Sequence, residues 1–285
     1  MKISHVTVIG AGQMGSQIGL NAALHGYQVA VYDTSPQVLS KAADWAEDYL
    51  ASRLAKGKLT EENVAQVKSS LAWRESLAEA CAEADLVIEA IVEKEDIKQA
   101  LFMQLDTLCK PTCILTSNSS FIPSSRMAHC TSRPDKVANL HYFNPALVME
   151  LVEVVQGEHT SNATAETLME FSRNLKKKPI WIKKEIDGFV ANRIVRAVSK
   201  EAWFLVNHGY VTPQEVDIAA EKGLNHPMGP FRLMDMIGLD IAYLSAARTY
   251  EQSGNETDKP NALLAEKYER GEFGRKTGKG WYDYS

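Results

Sequence analysis

Six residues near the start limit the fold of this chain more than any other feature. Gly10-Ala11-Gly12-Gln13-Met14-Gly15 stands between an apolar run, residues 3–9, and a stretch of helical pattern, residues 13–25, that Gly26 closes as a C-cap. The spacing G-x-G-x-x-G is weak evidence alone. Between a buried strand and a helix it is strong, because each glycine then has a task. The first permits a tight turn, the second lets a pyrophosphate approach the backbone, and the third lets the helix pack close to the strand. The helix start adds free N–H groups and a partial positive charge. A second strand, residues 28–32, runs into Asp33. A carboxylate there accepts hydrogen bonds from ribose hydroxyls and repels a 2′-phosphate. Thr34 and Ser35 follow, with no arginine to hold such a phosphate, so the pattern favours NAD over NADP. The plainer reading of Asp33 is a turn-forming acid at a strand end. The cofactor candidates are Gly10, Gly12, Gln13, Met14, Gly15 and Asp33.

Strand and helix keep alternating through the first half. Ser35 caps a helix that has Pro36 at its first position and runs to about Lys56. Residues 85–92 form an apolar strand, 94–108 a helix and 113–116 a strand. Short strands follow at 137–141, 151–155 and 180–182. This is the signature of a mainly parallel sheet covered on both faces, an α/β fold of Rossmann type. Beyond Asp187 the pattern becomes helical, at 189–207, 230–250 and 261–270, with a capping box from Thr212 to Glu215. We expect a dinucleotide-binding domain over residues 1–185 and an all-α domain over 186–285, joined between Lys183 and Gly188. The composition, 45% hydrophobic and 24% charged over 285 residues, is that of a globular protein able to bury a core. The net charge of -5 gives no bulk attraction to nucleic acid. Cys81, Cys109, Cys113 and Cys130 form no C-x-x-C pair, so no metal site is expected, and free thiols fit a reducing cytoplasm. No apolar stretch approaches the ~20 residues that span a bilayer, and no targeting segment is visible, so neither a membrane partner nor export is expected.

The chemistry concentrates further on. His141-Tyr142-Phe143-Asn144-Pro145 ends a strand, and Glu153 lies in the aliphatic run Leu151-Val152-Glu153-Val154-Val155. An acid in that setting costs burial energy unless paired. His141 is its natural partner. Such a pair makes a general base: the carboxylate fixes the tautomer and steadies the imidazolium once a proton has been taken. Oxidation of an alcohol requires that base, and the reverse reaction requires the imidazolium as acid. A lone histidine at a strand end is more often structural; the glycine turn and Glu153 together favour catalysis.

With these motifs stand Ser117-Asn118-Ser119-Ser120, Gly188-Phe189-Val190-Ala191-Asn192-Arg193 and His226-Pro227-Met228-Gly229-Pro230. In this order the set resembles the 3-hydroxyacyl-coenzyme A dehydrogenase family, and most of all its bacterial 3-hydroxybutyryl-coenzyme A members. The ending, residues 274–284, is similar to theirs too, so the resemblance covers essentially the whole chain. It implies an NAD-dependent interconversion of an L-3-hydroxyacyl-coenzyme A and its 3-oxoacyl product. It also implies roles: His141 as base, Glu153 as its orienting acid, and Ser120 at the substrate 3-oxygen and the nicotinamide. Asn144 would lie beside the base near the thioester carbonyl, and Asn192 would be a further active-site amide. Glu93 and Lys98 would lie near the nicotinamide ribose and carboxamide, and Lys56, of the basic group Arg53, Lys56 and Lys58, at the coenzyme A 3′-phosphate. Plainer roles stand beside these: a helix cap for Ser120, a turn for Asn144, a bridge for Asn192, a solvated pair for Glu93 and Lys98, a solvated face for Lys56. A homodimer through the helical domain is implied as well. The apolar stretch from Phe231 to Ile241 would be either domain core or its interface. Phe121, Glu150, Asp187 and Lys176-Lys177-Lys178 depart from the family pattern. They leave the chemistry intact and bear on the substrate, so a free hydroxy acid resembling carnitine or gulonate is the nearest alternative. A non-catalytic NAD-binding protein is the alternative of another class, and such a protein would have no use for Ser120, His141, Asn144 and Glu153 together. The hydroxyisobutyrate group, which relies on a catalytic lysine, fits the His–Glu pair less well.

Overall fold

The computed structural model describes residues 2–285. Its chain divides into two compact units, Met1–Val190 and Ala191–Ser285.

The first unit is an eight-stranded sheet with helices on both faces. Its strands are β1 (His5–Ile9), β2 (Gln28–Tyr32), β3 (Leu71–Arg74), β4 (Leu86–Glu89), β5 (Ile114–Ser117), β6 (Val137–Tyr142), β7 (Leu151–Val155) and β8 (Lys178–Ile182). They lie in the order β3-β2-β1-β4-β5-β6-β7-β8, and every neighbouring pair is parallel except β6 with β7. The order reverses between β1 and β4, which opens a crevice at their carboxyl ends. Side-chain alternation divides the core: Leu86 and Ile88 point to one face, Val87 to the other. The first face is covered by α1 (Gln13–Leu24), α2 (Pro36–Ala55), α3 (Glu61–Ser70), which contributes Val67, and α7 (Asn162–Asn174). Between them in the chain come α4 (Leu77–Cys81), α5 (Glu95–Leu108) and α6 (Ser125–Ala128). The second face packs on Leu101, Phe102 and Leu105 of α5, with Met127 of α6 and the thiols Cys81, Cys109 and Cys113. All four cysteines are free.

Several boundaries differ from the sequence reading, each for a local reason. The strand expected over 85–92 is only Leu86–Glu89. Asp85 stops it at one end, its carboxylate accepting from Ser4 N and His5 N at 2.9 Å. Glu89 stops it at the other, folding back to accept from Ile91 N at 2.8 Å. Helix α3 is hard to see in the sequence because its capping box, Thr60 with Asn63, uses Asn in place of Glu or Gln. Strand β3 is four residues long at the sheet edge and half-buried, too short to show a period. Upstream of β6, buried Arg133 clamps the sheet to α5. Its Nε lies 2.8 Å from Asp106 Oδ1, and its Nη2 donates to Asp106 O at 2.7 Å. Burial raises the Asp106 carboxyl, but bonds from Ser132 and Arg133 outweigh that and hold it below its usual range.

The second unit comprises α8 (Ala191–Asn207), α9 (Pro213–Ile218), α10 (Pro230–Ile237), α11 (Leu239–Ser253) and α12 (Ala262–Glu269). The single helix expected over 230–250 is two, because Gly238 sits at φ 114, outside the helical region. Phe231, Met234, Leu239 and Leu264 form the core with Ala202. Two buried carboxylates tie the C-terminal tail down. Asp235 accepts from Trp281 N (2.8 Å), Tyr282 N (3.0 Å) and Tyr284 OH (3.0 Å), and Asp217 accepts from Phe231 N (2.8 Å) and Tyr282 OH (2.7 Å). The tail is glycine-rich for the same reason: a Cβ on Gly274 or Gly280 would come within 2.2 or 2.1 Å of Asp235. Among the described residues, no helix is long and apolar enough to cross a membrane.

Candidate active site

The glycine turn ends β1 at the crevice. Gly10 sits at φ 101, and a Cβ there would meet Ala90 O at 2.6 Å, so the turn is pressed against the loop after β4. At Gly15 a Cβ would meet Gly10 O at 1.8 Å, so only glycine lets α1 pack this close. Gly12 differs: a Cβ would meet nothing within 4 Å. The space above it is open, and the first turn of α1 has no side-chain cap, so its N–H groups remain for a ligand. Gln13 is exposed beside it, and Met14 packs on the core. Asp33 ties this turn to β2, accepting from Ala11 N at 2.8 Å and Ser35 N at 2.9 Å. Each of its oxygens keeps a lone pair for a ribose hydroxyl. These residues fit a dinucleotide: an open glycine, uncapped N–H groups and an acid at the ribose position.

The second half of the site lies at β6 and β7. Their antiparallel register sets His141 directly opposite Glu153, on one face of the sheet. The side chains meet, Nδ1 to Glu153 Oε2 at 2.8 Å, and both are buried. The other carboxylate oxygen accepts from Val190 N at 3.0 Å. An ionised carboxylate only accepts, so it places the imidazole proton on Nδ1 and leaves the Nε2 lone pair free. Nε2 lies 2.9 Å from Ser120 Oγ. The rings of Phe143 and Phe189 lie 4.6 and 5.6 Å from the imidazole and shield it. Ser120, His141 and Glu153 thus form one hydrogen-bonded line.

Glu93 and Lys98 are no solvated surface pair. Lys98 is 1% exposed, its Nζ 2.5 Å from Glu89 Oε1 and 3.2 Å from Glu93 Oε2. Glu89 is fully buried and also accepts from Ser117 Oγ at 2.6 Å. Glu93 accepts a short bond from Ser119 Oγ. No helix starts at Ser120; its neighbour Ser119 closes the loop instead, its Oγ accepting from Ile122 N at 2.7 Å. Sequence reasoning missed Glu89, although the signal was that of Glu153: an acid ending the aliphatic run Leu86-Val87-Ile88.

The remaining candidates are spread more widely. Asn144 is exposed on the loop after β6, next to a cis bond to Pro145. That loop is held by buried Lys177, whose Nζ donates to Ala146 O at 2.6 Å and Met149 O at 2.8 Å. Burial keeps the Lys177 ammonium below the usual lysine range, offset in part by Glu150. Lys176 stands at φ 58, the conformation glycine favours. Glu150 is exposed and pairs with Lys178 at 2.7 Å, so its charge is spent at the sheet edge. Lys56 is exposed at the C-cap of α2. Asn192 lies in the second unit, half-buried in the first turn of α8.

A dinucleotide turn and a buried acid–base pair on one doubly wound sheet define a nicotinamide-dependent dehydrogenase. Residues 5–186 match the family model for the 3-hydroxyacyl-CoA dehydrogenase NAD binding domain, and residues 188–284 match that for the C-terminal domain. The chain is 38% identical over 284 residues to a probable 3-hydroxybutyryl-CoA dehydrogenase of Bacillus subtilis, covering 100% of this chain and 98% of that protein. It is also 38% identical to the 3-hydroxyadipyl-CoA dehydrogenase of Escherichia coli, spanning 60% of that longer protein. The crystal structure of (S)-3-hydroxybutyryl-CoA dehydrogenase from Ralstonia eutropha superposes with a TM-score of 0.93 at 35% identity, over 100% of both chains. This chain belongs to the 3-hydroxyacyl-CoA dehydrogenase family and is an NAD-dependent oxidoreductase.

The two inner glycines give a direct check on the cofactor turn. Gly12→Ala should leave the melting temperature unchanged and weaken NAD binding at least about tenfold, because its Cβ enters only the ligand's space. Gly15→Ala should instead cost about 3 kcal/mol of stability from overpacking. Unchanged NAD affinity in Gly12→Ala, read by calorimetric titration, would contradict this use of the turn.

Proposed function

We propose that the enzyme interconverts a short-chain L-3-hydroxyacyl-CoA, 3-hydroxybutyryl-CoA first, and its 3-oxoacyl-CoA, with His141 as general base and acid. The observation that carries this is the buried line from Ser120 Oγ through His141 to Glu153. A bare Nε2 paired with a hydroxyl is what an alcohol substrate needs. The substrate 3-hydroxyl takes its place at Nε2 and Ser120 Oγ. Its proton moves to Nε2 as the C3–H bond breaks and the C3–O bond becomes a carbonyl. The NAD that the glycine turn and Asp33 would hold would supply the acceptor for that hydride, and its donor in the reverse direction. Glu153 steadies the imidazolium, and the imidazolium protonates the alkoxide on the way back. Gly10, Gly12, Gln13, Met14, Gly15 and Asp33 would hold the pyrophosphate and adenosine, and Glu93 and Lys98 the nicotinamide side. Asn144 and Asn192 would direct amides at the thioester. Lys56 would meet the coenzyme A 3′-phosphate as a point charge, which its exposure permits. The substrate class draws support from the names of the Bacillus and Ralstonia relatives.

The same reading makes the enzyme a cytoplasmic homodimer joined through its helical unit. Four free cysteines fit a reducing compartment. The stretch from Phe231 to Ile241 divides in two: Phe231, Met234 and Leu239 are core, while Met236, Ile237 and Ile241 are 45 to 52% exposed. With Ile194 and Phe204 of α8 and Leu244 of α11, also exposed, they offer more apolar surface than a lone unit of this size keeps in water.

The decisive assay follows NADH absorbance with acetoacetyl-CoA, beside free acetoacetate and dehydrocarnitine. We expect turnover of the thioester alone, reduced about a thousandfold in His141→Ala. Turnover of a free acid instead would keep the acid–base pair but reject coenzyme A. Sedimentation should give one species of twice the 31.6 kDa chain mass. A single species at the chain mass would reject the dimer.

A further inference from the structure

Glu89 takes no part in the steps above, yet it is a fully buried carboxylate at the crevice. Dinucleotides lie across the point where strand order reverses, here between β1 and β4. Asp33 at the end of β2 marks the adenosine side, and the glycine turn after β1 marks the pyrophosphate. The nicotinamide half therefore falls on the far side of β1, at the ends of β4 and β5. Glu89, Glu93 and Lys98 stand at those ends.

Their charges do not cancel. Two carboxylates share one ammonium, and it lies nearer Glu89, at 2.5 Å, than Glu93, at 3.2 Å. Among the described residues, Lys98 is the one cation in ion-pair range of either. The other groups bonded to them are neutral: Ile91 N and Ser117 Oγ on Glu89, Ser119 Oγ and Phe121 N on Glu93. Both carboxylates thus act as acceptors only, as ionised groups do. One negative charge is left over. Glu89 is sealed from solvent, whereas Glu93 is 32% exposed in the segment between β4 and α5. With Lys98 drawn to Glu89, the surplus charge resides on Glu93, at the surface of the crevice.

We propose that Glu89 sets the enzyme's preference between oxidised and reduced cofactor. By drawing Lys98 toward itself it leaves the Glu93 carboxylate only partly compensated, which favours NAD+, whose ring is cationic, over NADH, whose ring is neutral. Glu89 is a positioning residue acting through Lys98. The inference rests on the nicotinamide side of the site lying at Glu93 and is independent of the acyl substrate. A unit charge within ~10 Å, at the effective dielectric of a protein site, changes such a ratio on the order of tenfold. A merely structural clamp on the Ser117–Ser120 loop would weaken both forms alike.

The test is calorimetric titration of wild type, Glu89→Gln and Glu93→Gln with NAD+ and with NADH. Glutamine at 89 keeps the volume and an acceptor for Ile91 N and Lys98 but removes the charge. In both variants NAD+ should weaken on the order of tenfold relative to NADH. Equal weakening of both forms, or an unmoved ratio, overturns the proposal. If Glu89→Gln fails to fold by circular dichroism, the partly exposed Glu93→Gln carries the measurement: an unmoved ratio overturns the proposal, and a shifted one supports the Glu93 charge through which Glu89 acts. Wild type that binds neither form would overturn the cofactor reading as well, whereas tight binding of both with an unmoved ratio overturns this proposal alone.

Discussion

The hydrogen bond between His141 and Glu153 is the contact on which the rest of the site depends, and the sheet makes it unavoidable. It joins two strands at the sheet's one antiparallel pair, in a register that puts the residues face to face. A parallel neighbour would have needed a crossover helix to return, and would have set the two at slanted rather than opposed positions. The turn from β6 into β7 therefore serves the chemistry: it brings an acid back against the histidine that precedes it. Lys177 and Gln17 hold that turn, through Ala146 O and Met149 O and through Leu147 N. Once paired and shielded by Phe143 and Phe189, the imidazole has one outward nitrogen, and Ser120 marks its direction.

Buried and half-buried carboxylates recur as fixing points throughout the molecule, and each is matched by donors. Asp33 ties the glycine turn to β2, Glu89 ties β4 to β5 through Ser117, and Asp217 and Asp235 hold the tail of the second unit. Such groups stabilise little by their charge, since desolvation offsets the attraction, but removing one leaves its donors unpaired in the interior. They act as locators. At the crevice the same device has a second consequence, because two acids there share a single lysine.

Much of this is legible in the sequence where a residue has one physical use. The glycine turn, the cap at Ser35 with Pro36, the strand over 28–32 and the capping box at Thr212 stand where local chemistry alone puts them. The pairing of His141 with Glu153 follows from the cost of burying an acid. Less is visible where tertiary contact decides. Strand β3 exists because β2 offers it an edge, and α7 because its apolar face completes the core over β6 and β7. A solvated pair stood as the plainer reading of Glu93 and Lys98 because Glu89, which holds the buried lysine, reads only as part of the strand. Ser119 and Ser120 are neighbours of the same type, and only the loop's conformation separates the hydroxyl that closes the turn from the hydroxyl at His141.

The central claim is that Glu153 holds the His141 ring with its proton on Nδ1 and a bare Nε2 facing Ser120. Heteronuclear NMR of the histidine rings near neutral pH, assigned with a His141→Gln variant, reads this directly. The account expects the His141 signals of the Nδ1–H tautomer. A ring that carries its proton on Nε2 would contradict it, because that nitrogen could then take no proton from a substrate hydroxyl.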